Sequence, residues 1–250
     1  MDATDKLASD DQDYRAIHLH KGDRYDASLA EWPFDAYMAS WERKHLSGIL
    51  GRFFPNGPKR YLDFACGTGR ITELIAPLAR HSTGVDISPT MIEEARRKCP
   101  QTDFHLVDLT QEDSDLGEFD LITSFRFFGN AQDELRDGAL KAITKRLTHG
   151  GHLVINSHRN PRALFALLDR FTGVSAGSMD LCLPKLRGLL ERHGLSIVAL
   201  QPIGAWMYRT RLMVSTAADD PRAVRNEARF GGERFASIAP DTIVVARRRG

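Results

Sequence analysis

Short apolar segments and longer amphipathic segments alternate along most of this chain. Seven segments are apolar enough to predict buried strands, and they span residues 60–64, 82–87, 104–107, 119–124, 153–156, 195–200 and 242–246. Between several of them the apolar residues recur at helical spacing, as at Ile71, Leu74 and Ile75. Because strands alternate with helices, we expect an α/β fold with a mostly parallel sheet and helices on both faces.

Turn and capping residues mark where several of these elements should begin and end. An apolar stripe over residues 34–53 predicts a helix ahead of the first strand, and the Pro-Asn-Gly-Pro sequence at 55–58 should end it. Pro77 falls inside the next helical pattern, so we expect a kink or an early helix end there. Ser88 followed by Pro89 predicts the capped start of another helix.

The chain divides by composition into a polar first segment and an α/β remainder. Residues 1–30 are polar and rich in aspartate, so residues 1–58 predict a tail followed by a helical cap. Residues 59–250 predict one α/β domain, with a mixed insertion at 204–240 before the last strand. A further helix is expected from Asn160 onward, with apolar residues at helical spacing.

Composition and charge narrow the possible functions. A chain of 250 residues with 42% hydrophobic and 27% charged residues has ordinary globular composition, and its net charge of +1 offers no global field for nucleic acid or an anionic membrane. No apolar run approaches the roughly 18–20 residues that span a bilayer, and no secretory signal is predicted. Cys66, Cys99 and Cys182 form no C-x-x-C pair, so we expect a cytoplasmic protein without a disulfide framework or a metal site.

The most informative stretch is the turn after the first strand. Gly67 and Gly69 allow close backbone approach to a ligand, and the helix that follows directs its amides at whatever lies over the turn. Asp86 closes the second strand, where a carboxylate can accept hydrogen bonds from both hydroxyls of a ribose. Asp63 and Asp86 could each be a simple strand-end or capping acid. Their joint placement around the glycine turn, with Asp108 at the next strand end, favours a nucleoside site.

Two ligands compete for this site. A dinucleotide fingerprint would place a third glycine at position 72, where this chain has Thr72. Asp63, near the end of the first strand, would repel a pyrophosphate but would attract an amino-acid ammonium. The pattern is therefore more typical of a nucleoside that carries an amino acid than of NAD.

As a set, these motifs resemble the class I S-adenosylmethionine-dependent methyltransferases. The resemblance covers roughly residues 34–203 and the last strand, and its motifs are the 63–69 loop, Asp86, Asp108, Phe119-Asp120 and the 147–151 turn. It implies a Rossmann-like, seven-stranded, mostly parallel sheet with an N-terminal helical cap. It also implies a methyltransferase whose cofactor is S-adenosyl-L-methionine.

The resemblance assigns roles to residues of this chain. The 63–69 loop would wrap the methionine part of the cofactor, Asp86 would hold the ribose and Asp108 would meet the adenine amino group. Ala65 departs from the glycine that many members have, but a small side chain remains compatible. The implied cofactor-binding residues are Asp63, Ala65, Gly67, Gly69, Asp86, Ile87, Met91, Asp108, Leu109, Ser124 and Phe125.

The methyl acceptor should lie beyond the carboxyl ends of the fourth and fifth strands. Residues 125–130 contain no Asn/Asp-Pro-Pro-aromatic motif, which disfavours methylation of a nucleobase or amide nitrogen. His158 follows the fifth strand and is a candidate general base, although it could simply cap the next helix. We therefore expect methylation of an oxygen or nitrogen of a small molecule. The alternatives are an NAD(P)-dependent oxidoreductase and a methyltransferase-like protein that binds the cofactor without catalysis.

Overall fold

The computed structural model describes residues 31–158, 160–164, 166, 181–207 and 217–249. Its centre is a seven-stranded sheet in the order β3-β2-β1-β4-β5-β7-β6. β7 runs antiparallel to both of its neighbours, and the remaining strand pairs are parallel. The strands are β1 (Arg60–Phe64), β2 (His81–Asp86), β3 (Asp103–Leu106), β4 (Phe119–Ser124), β5 (Leu147–Asn156), β6 (Leu195–Ile203) and β7 (Asp241–Arg248). The predicted fold class is confirmed.

Helices cover both faces of this sheet. The described helices are α1 (Pro33–Phe53), α2 (Thr72–Ile75), α3 (Pro89–Lys98), α4 (Asp133–Arg146), α5 (Leu183–Arg192) and α6 (Pro221–Phe230). As predicted, α2 ends early, because Pro77 falls in a short 3-10 turn over Ala76–Leu78. Also as predicted, the side chain of Ser88 accepts a hydrogen bond from the backbone amide of Met91 and caps α3.

Two apolar cores lie on opposite faces of the sheet, because successive residues of a strand point to opposite sides. In β5, Leu153 and Ile155 join the core that contains α4 and α5, whereas Val154 joins the core that contains α1. In β7, Val244 and Val245 divide in the same way. The sheet is therefore the middle layer of three, and its ligand edge is the carboxyl end of the parallel strands.

β5 begins earlier than its apolar pattern indicates. Leu147 already pairs with Phe119 of β4, and the register between the two strands then shifts before Leu121 pairs with His152. Gly150, with a φ of 75°, lies in this irregular stretch. The glycine turn predicted to precede the strand therefore lies within it.

A buried carboxylate joins the insertion to the N-terminal helix. One oxygen of Glu227 in α6, Oε1, accepts hydrogen bonds from the hydroxyl of Tyr37 at 2.6 Å, the amide of Gly204 at 2.9 Å and the indole of Trp206 at 3.0 Å. Burial raises the pKa of Glu227, while these three donors act in the opposite direction. α1, the end of β6 and α6 thus meet at a single atom.

Several predicted features lie outside the described residues. These are the tail over residues 1–30, most of the helix expected after Asn160, and residues 208–216 of the insertion. The division of the chain at residue 58 stays a prediction.

Candidate active site

The loop after β1 turns sharply because three of its residues have positive φ. The values are 56° at Ala65, 54° at Gly67 and 78° at Gly69. Gly69 has no room for a side chain, since a Cβ would lie 3.1 Å from the Cβ of Ala95 in α3. Ala65 adopts the left-handed region without being a glycine, which costs about 1–2 kcal/mol. These turns bring the amide of Gly67 to the end of β2.

Asp86, the last residue of β2, holds that loop in place. Its Oδ2 accepts a hydrogen bond from the amide of Gly67 at 2.8 Å, and its Oδ1 accepts one from the amide of Ser88 at 2.9 Å. Burial raises the pKa of Asp86, and the backbone donors oppose that shift. Each oxygen of a carboxylate can accept more than one hydrogen bond, so Asp86 can still receive ligand hydroxyls.

Asp108 stands at the next position along the same edge, just beyond β3. The amide and the hydroxyl of Thr110 both donate to its Oδ1, at 2.9 Å and 2.6 Å. This Asx-type turn orients the carboxylate of Asp108. Backbone amides contribute to the orientation of both Asp86 and Asp108.

Asp63 is buried and binds two hydroxyl groups. Its Oδ1 accepts from Thr123 of β4 at 2.8 Å, and its Oδ2 accepts from Thr72 of α2 at 2.6 Å. Burial raises the pKa of Asp63 to about 6, against the opposing effects of both hydroxyls and of the Arg70 charge. Asp63 thus ties β1 to α2 and β4, and the threonine at position 72 is part of that contact.

One cleft collects most of the predicted cofactor residues, and we call it the aspartate cleft. It is concave and partly open to solvent, as small-molecule sites are. The predicted residues that line it are Asp63, Ala65, Gly67, Asp86, Ile87, Met91, Asp108, Leu109 and Phe125.

Two predicted cofactor residues do not line the cleft. Gly69 instead packs against α3, as described above. Ser124 is fully buried, and its Oγ has no hydrogen-bond partner among the described residues. Arg70 and Arg126 do line the cleft, and sequence reasoning gave neither of them a cofactor role.

A second polar cluster lies beside this cleft, at the carboxyl ends of β4 and β5. We call Glu42, Arg126, Asn156, His158 and Asp241 the buried network, since each is at most 6% exposed. Asn156 is its centre: Oδ1 accepts from the amide of Arg126 at 2.7 Å, and Nδ2 donates to Glu42 and to Asp241, both at 3.0 Å. Because a backbone amide can only donate, the orientation of the Asn156 side chain is fixed.

Arg126 joins the buried network to the aspartate cleft. Its φ of 58° is unusual for a residue with a side chain, and its carbonyl accepts a hydrogen bond from Asn130 at 2.5 Å. Its guanidinium lies 3.3 Å from Asp35 and 3.7 Å from Glu42, both in α1. Glu42 also accepts from Arg70 at 2.7 Å. The N-terminal helix therefore forms one wall of the site.

His158 lies in this network and does not line the cleft. Its Nδ1 is 3.2 Å from Oδ2 of Asp241, the first residue of β7. Burial raises the pKa of Asp241 to about 6, and the charge of Arg126 and the Asn156 hydrogen bond oppose that shift. Gly129 packs on the backbone of His158 so closely that a Cβ would lie 2.2 Å from its carbonyl oxygen. The role of His158 as a general base stays a prediction.

Sequence reasoning missed Glu42 and Asp241. Glu42 lies within the stripe of α1 that is buried against the sheet, so the available signal was a carboxylate among apolar residues. Asp241 reaches the ligand edge because β7 is antiparallel, which brings the start of that strand to the carboxyl ends of the others. Strand direction is not visible in the local sequence.

Metal-ligating clusters and membrane-spanning helices are both absent from the described residues. No group of three or more histidine, cysteine, aspartate or glutamate side chains within them is arranged to hold a metal ion. None of the helices in the described ranges combines the length and apolarity needed to cross a membrane.

Comparison with known proteins adds to this geometry. Residues 62–151 match a family model described as a methyltransferase domain. The chain is 26% identical over 172 residues to a ubiquinone biosynthesis O-methyltransferase of Alkalilimnicola ehrlichii. That match covers 62% of this chain and 66% of the relative, a little less than two thirds of its length.

Two solved structures share the fold at low sequence identity. The N-methyltransferase NodS from Bradyrhizobium japonicum WM9, in complex with S-adenosyl-L-homocysteine, has a TM-score of 0.57 and 20% identity, covering 94% of this chain and 96% of its own. The magnesium protoporphyrin IX methyltransferase from Synechocystis PCC 6803, with the same ligand bound, has a TM-score of 0.62 and 16% identity, with coverage of 94% and 97%.

The sheet order and the acid at the end of β2 are typical of nucleoside-binding α/β proteins. More specifically, residues 62–151 match a methyltransferase domain and the curated relative is a methyltransferase, so the predicted class I S-adenosylmethionine-dependent family and its cofactor, S-adenosyl-L-methionine, are supported. The aspartate cleft fits that cofactor. It presents carboxylates to a ligand that carries hydroxyl, amine and ammonium groups, and a Cβ at Gly67 would meet only the sulfur of Met91, 3.9 Å away.

Proposed function

We propose that this chain transfers the methyl group of S-adenosyl-L-methionine to an oxygen or a nitrogen of a small molecule. The observation that carries the proposal is the contact between Gly67 and Asp86. It holds the glycine loop against the acid that closes β2, so that backbone and carboxylate face one cleft. This arrangement suits a nucleoside whose 5′ substituent lies along the loop.

In this proposal the aspartate cleft binds the cofactor in three parts. Asp86 accepts hydrogen bonds from the two ribose hydroxyls, and Asp108 accepts one from the adenine amino group. Ile87, Met91 and Leu109 lie on either side of the adenine ring. The loop from Ala65 to Gly69 and the side chain of Phe125 surround the methionine part, with Ser124 behind them.

Asp63 contributes to this binding through its charge and its contacts. Because both of its oxygens accept hydroxyl hydrogen bonds, it holds the loop and β4 in register. When it is ionised, its buried negative charge also attracts the ammonium group of the methionine part. Arg70, which lines the same cleft and pairs with Glu42, balances that charge.

The main contribution of the protein to this reaction is to position the acceptor atom. The cofactor supplies an activated methyl group, and the protein must hold the acceptor atom in line with it at about 3 Å and exclude water. Such orientation supplies on the order of 7–11 kcal/mol of the barrier. A base is needed only where the acceptor atom carries a proton at neutral pH, and His158 is the candidate.

Relatives and charge together support a small-molecule acceptor. One relative is named as a ubiquinone biosynthesis O-methyltransferase and one structural neighbour as an N-methyltransferase. The net charge of +1 disfavours nucleic acid and anionic membranes as partners. A cytoplasmic location remains our expectation from the few, widely spaced cysteines.

Two other functions remain to be tested against this one. An NAD(P)-dependent oxidoreductase is disfavoured because Thr72, at the position of the third glycine, is buried and bonded to Asp63. A protein that binds the cofactor without catalysis would share the whole aspartate cleft, so only a transfer assay separates it from the methyltransferase.

Titration calorimetry followed by a transfer assay tests the proposal. We expect saturable binding of S-adenosyl-L-methionine and S-adenosyl-L-homocysteine and no binding of NAD or NADP. Radiolabelled cofactor is then offered with phenols, catechols, alcohols and amines, and labelled product is expected with one of these classes. Saturable NAD binding without a response to either adenosyl ligand would reject the proposal. Cofactor binding with no transfer to any class would favour the non-catalytic alternative.

A further inference from the structure

We propose that the outward side of α6 is a docking site for an acidic helix of a protein partner. It carries four exposed arginines, which are Arg222, Arg225 and Arg229 in α6 and Arg234 in the 3-10 turn that follows, and we call it the arginine face. The inference concerns a binding surface and is independent of the proposed methyl transfer. It names the partner by its chemistry, a helix that presents carboxylates at helical spacing.

The first support is the alignment of the arginines within α6. Arg222, Arg225 and Arg229 are three and four positions apart, so they lie on one side of the helix along about 10 Å of its length. Ala223 and Glu227 lie on the other side and are buried. Because the buried side fixes the rotation of α6, the three arginines project together into solvent.

The second support is that no acid within α6 balances these charges. Asp220 caps the helix by accepting a hydrogen bond from the amide of Arg222 at 2.7 Å, and Glu227 points into the protein. In the part of the chain that the structure describes, none of the four arginine side chains forms an ion pair or a hydrogen bond. Cations on other helices do pair with acids, as Lys141 of α4 does with Asp137.

The acids just beyond the two ends of α6 do not change this picture. Asp219 precedes the capping residue of the helix, outside its arginine stripe. Glu233 follows the helix, and its Oε1 accepts a hydrogen bond from the amide of Leu200 at 3.2 Å. The centre of the arginine face is therefore purely cationic, although the whole chain has a net charge of only +1.

The third support is the apolar surface that adjoins the arginines. Val224 is 42% exposed, although it is a large apolar side chain. The guanidinium groups of Arg229 and Arg234 lie over the rings of Phe230 and Phe235, 5.6 Å and 4.8 Å from the ring centroids. Arginine and aromatic residues are enriched at the core of protein–protein interfaces. The composition of this face is therefore typical of a protein contact.

An acidic helix fits this face better than a membrane or a nucleic acid does. A helix that binds a membrane inserts its apolar side, but the apolar side of α6 is buried in the core that contains α1. Nucleic-acid sites belong to domains with a large excess of positive charge, which this chain does not have. Carboxylates spaced three and four positions apart on a helix match the arginine stripe, and arginine forms bidentate pairs with carboxylates.

The arginine face lies beside the acceptor edge of the sheet. Glu227, on the buried side of α6, accepts hydrogen bonds from Tyr37 of α1 and from the amide of Gly204, which follows β6. β6 ends at Ile203, which pairs with Asp241 at the start of β7. A partner on α6 is therefore close to the edge at which acceptors of open α/β sheets bind.

Binding of a designed peptide to the full chain tests the proposal. The probe is a fluorescent, side-chain-cross-linked helix of about 15 residues, with glutamates three and four positions apart on one side and a leucine beside them. Fluorescence anisotropy at about 0.1 M salt measures the affinity. A peptide of the same composition, with its glutamates spread around the helix, should bind at least about tenfold more weakly. Equal affinity of the two peptides, or no binding of the first, would overturn the proposal.

Charge reversal then locates the peptide on the protein. The double variant Arg225→Glu, Arg229→Glu should lower the affinity at least about tenfold, because two attractions become repulsions. The control is Arg187→Glu, Arg192→Glu, which makes the same change in net charge at exposed positions of α5, on the other face of the sheet. It should change the affinity less than about twofold, since these charges are more than a Debye length from the arginine face. Equal losses in the two variants would overturn the assignment to α6.

Two other anionic partners are compared in the same assay. They are vesicles of phosphatidylcholine and phosphatidylserine in a roughly 2:1 ratio and a duplex RNA of about 20 base pairs. We expect both to bind more weakly than the striped peptide and to be insensitive to the reversal on α6. Tighter binding of either one, lost in Arg225→Glu, Arg229→Glu, would overturn the acidic helix as the partner. None of these measurements uses methyl transfer, so their failure leaves the proposed function standing.

Discussion

The aspartate cleft and the buried network lie side by side at one edge of the sheet, but they are assembled over very different distances along the chain. In the cleft, Asp86 contacts an amide 19 positions before it, and Asp108 contacts a threonine two positions after it. In the network, Asn156 contacts Glu42 across 114 positions and Asp241 across 85. Apart from Asp63, which contacts Thr123 across 60 positions, the cofactor side is thus formed mainly by βα turns, whereas the other side requires three distant elements to meet.

Substitutions in the aspartate cleft and in the buried network should therefore have different effects. We expect a change at Asp86 or Asp108 to remove a ligand contact and to leave most of the fold unaffected. A change in the network removes a contact between elements, so it alters catalysis, the packing of α1, or both. The following experiments either sharpen or break that distinction, and they run from the largest expected effect to the smallest.

The largest effect is expected at His158. Its replacement by alanine should lower turnover of a hydroxyl acceptor by about 10²–10⁴, because that is the usual contribution of a general base. The affinity for S-adenosyl-L-methionine should change less than twofold, since His158 does not line the cleft. Steady-state kinetics and calorimetry on the same preparation measure both quantities. Turnover close to that of the wild type at neutral pH would make His158 a packing residue.

Glu42→Gln should destabilise the whole chain. Glu42 is fully buried and contacts Arg70, Asn156 and Arg126, so the loss of its charge leaves buried cations with fewer partners. Breaking a buried ion pair of this kind costs about 3–5 kcal/mol in the free energy of unfolding.

Urea unfolding of the wild type and the variant measures the loss of stability in Glu42→Gln. Glu134→Gln is the control, because Glu134 is exposed at the start of α4. Equal stability of the two variants would contradict a structural role for the network.

Asp86→Ala tests the cleft. Hydrogen bonds to a charged group are worth about 1.5–3 kcal/mol each, so the loss of the ribose contacts should weaken cofactor binding at least about tenfold. Calorimetry measures the affinity, and thermal unfolding reports whether the two backbone contacts of Asp86 were also needed for stability. Asp103→Ala, which changes an exposed aspartate at the opposite edge of the sheet, should leave the affinity unchanged. A folded Asp86→Ala protein with normal affinity would show that the ribose lies elsewhere.

The smallest effect concerns stability against pH at Asp63. Burial raises the pKa of Asp63 to about 6 in the folded protein, above the 3.8 of an exposed aspartate, so between these values the folded state binds more protons than the unfolded state. The contribution of Asp63 to the free energy of unfolding therefore decreases as the pH rises from about 4 to 6, by on the order of 1 kcal/mol or more.

Asp63→Asn removes the titration of Asp63. The difference in unfolding free energy between the wild type and this variant should decrease over the same pH interval, as followed by urea unfolding at several pH values. A constant difference across that interval would show that burial does not perturb this carboxylate.

The same contrast explains what could be predicted from the sequence. Parallel strands place their ends at one edge, so the acids after β2 and β3 could be assigned to a shared site from spacing alone. Asp241 could not, because only the antiparallel direction of β7 brings its first residue there. The apolar stripe of α1 could be predicted from the sequence. The helical spacing of apolar residues does not show that Glu42 contacts Arg70 instead of solvent. Ser124 lies at the strand end that was predicted, but it is packed in the interior and does not line the cleft. The sequence pattern does not show such packing.

The place of β7 between β5 and β6 has a consequence for protein synthesis. The cofactor acids Asp63, Asp86 and Asp108 leave the ribosome early, whereas Asp241 follows Asp63 after 178 further positions. At about 5–20 residues per second, roughly 9–36 seconds separate the two. In the last part of that interval, after β6 has been made, β5 and β6 have an unfilled gap between them, and Asn156 lacks the Asp241 that it contacts in the complete fold. A nascent chain can therefore acquire the cofactor acids well before its buried network is complete.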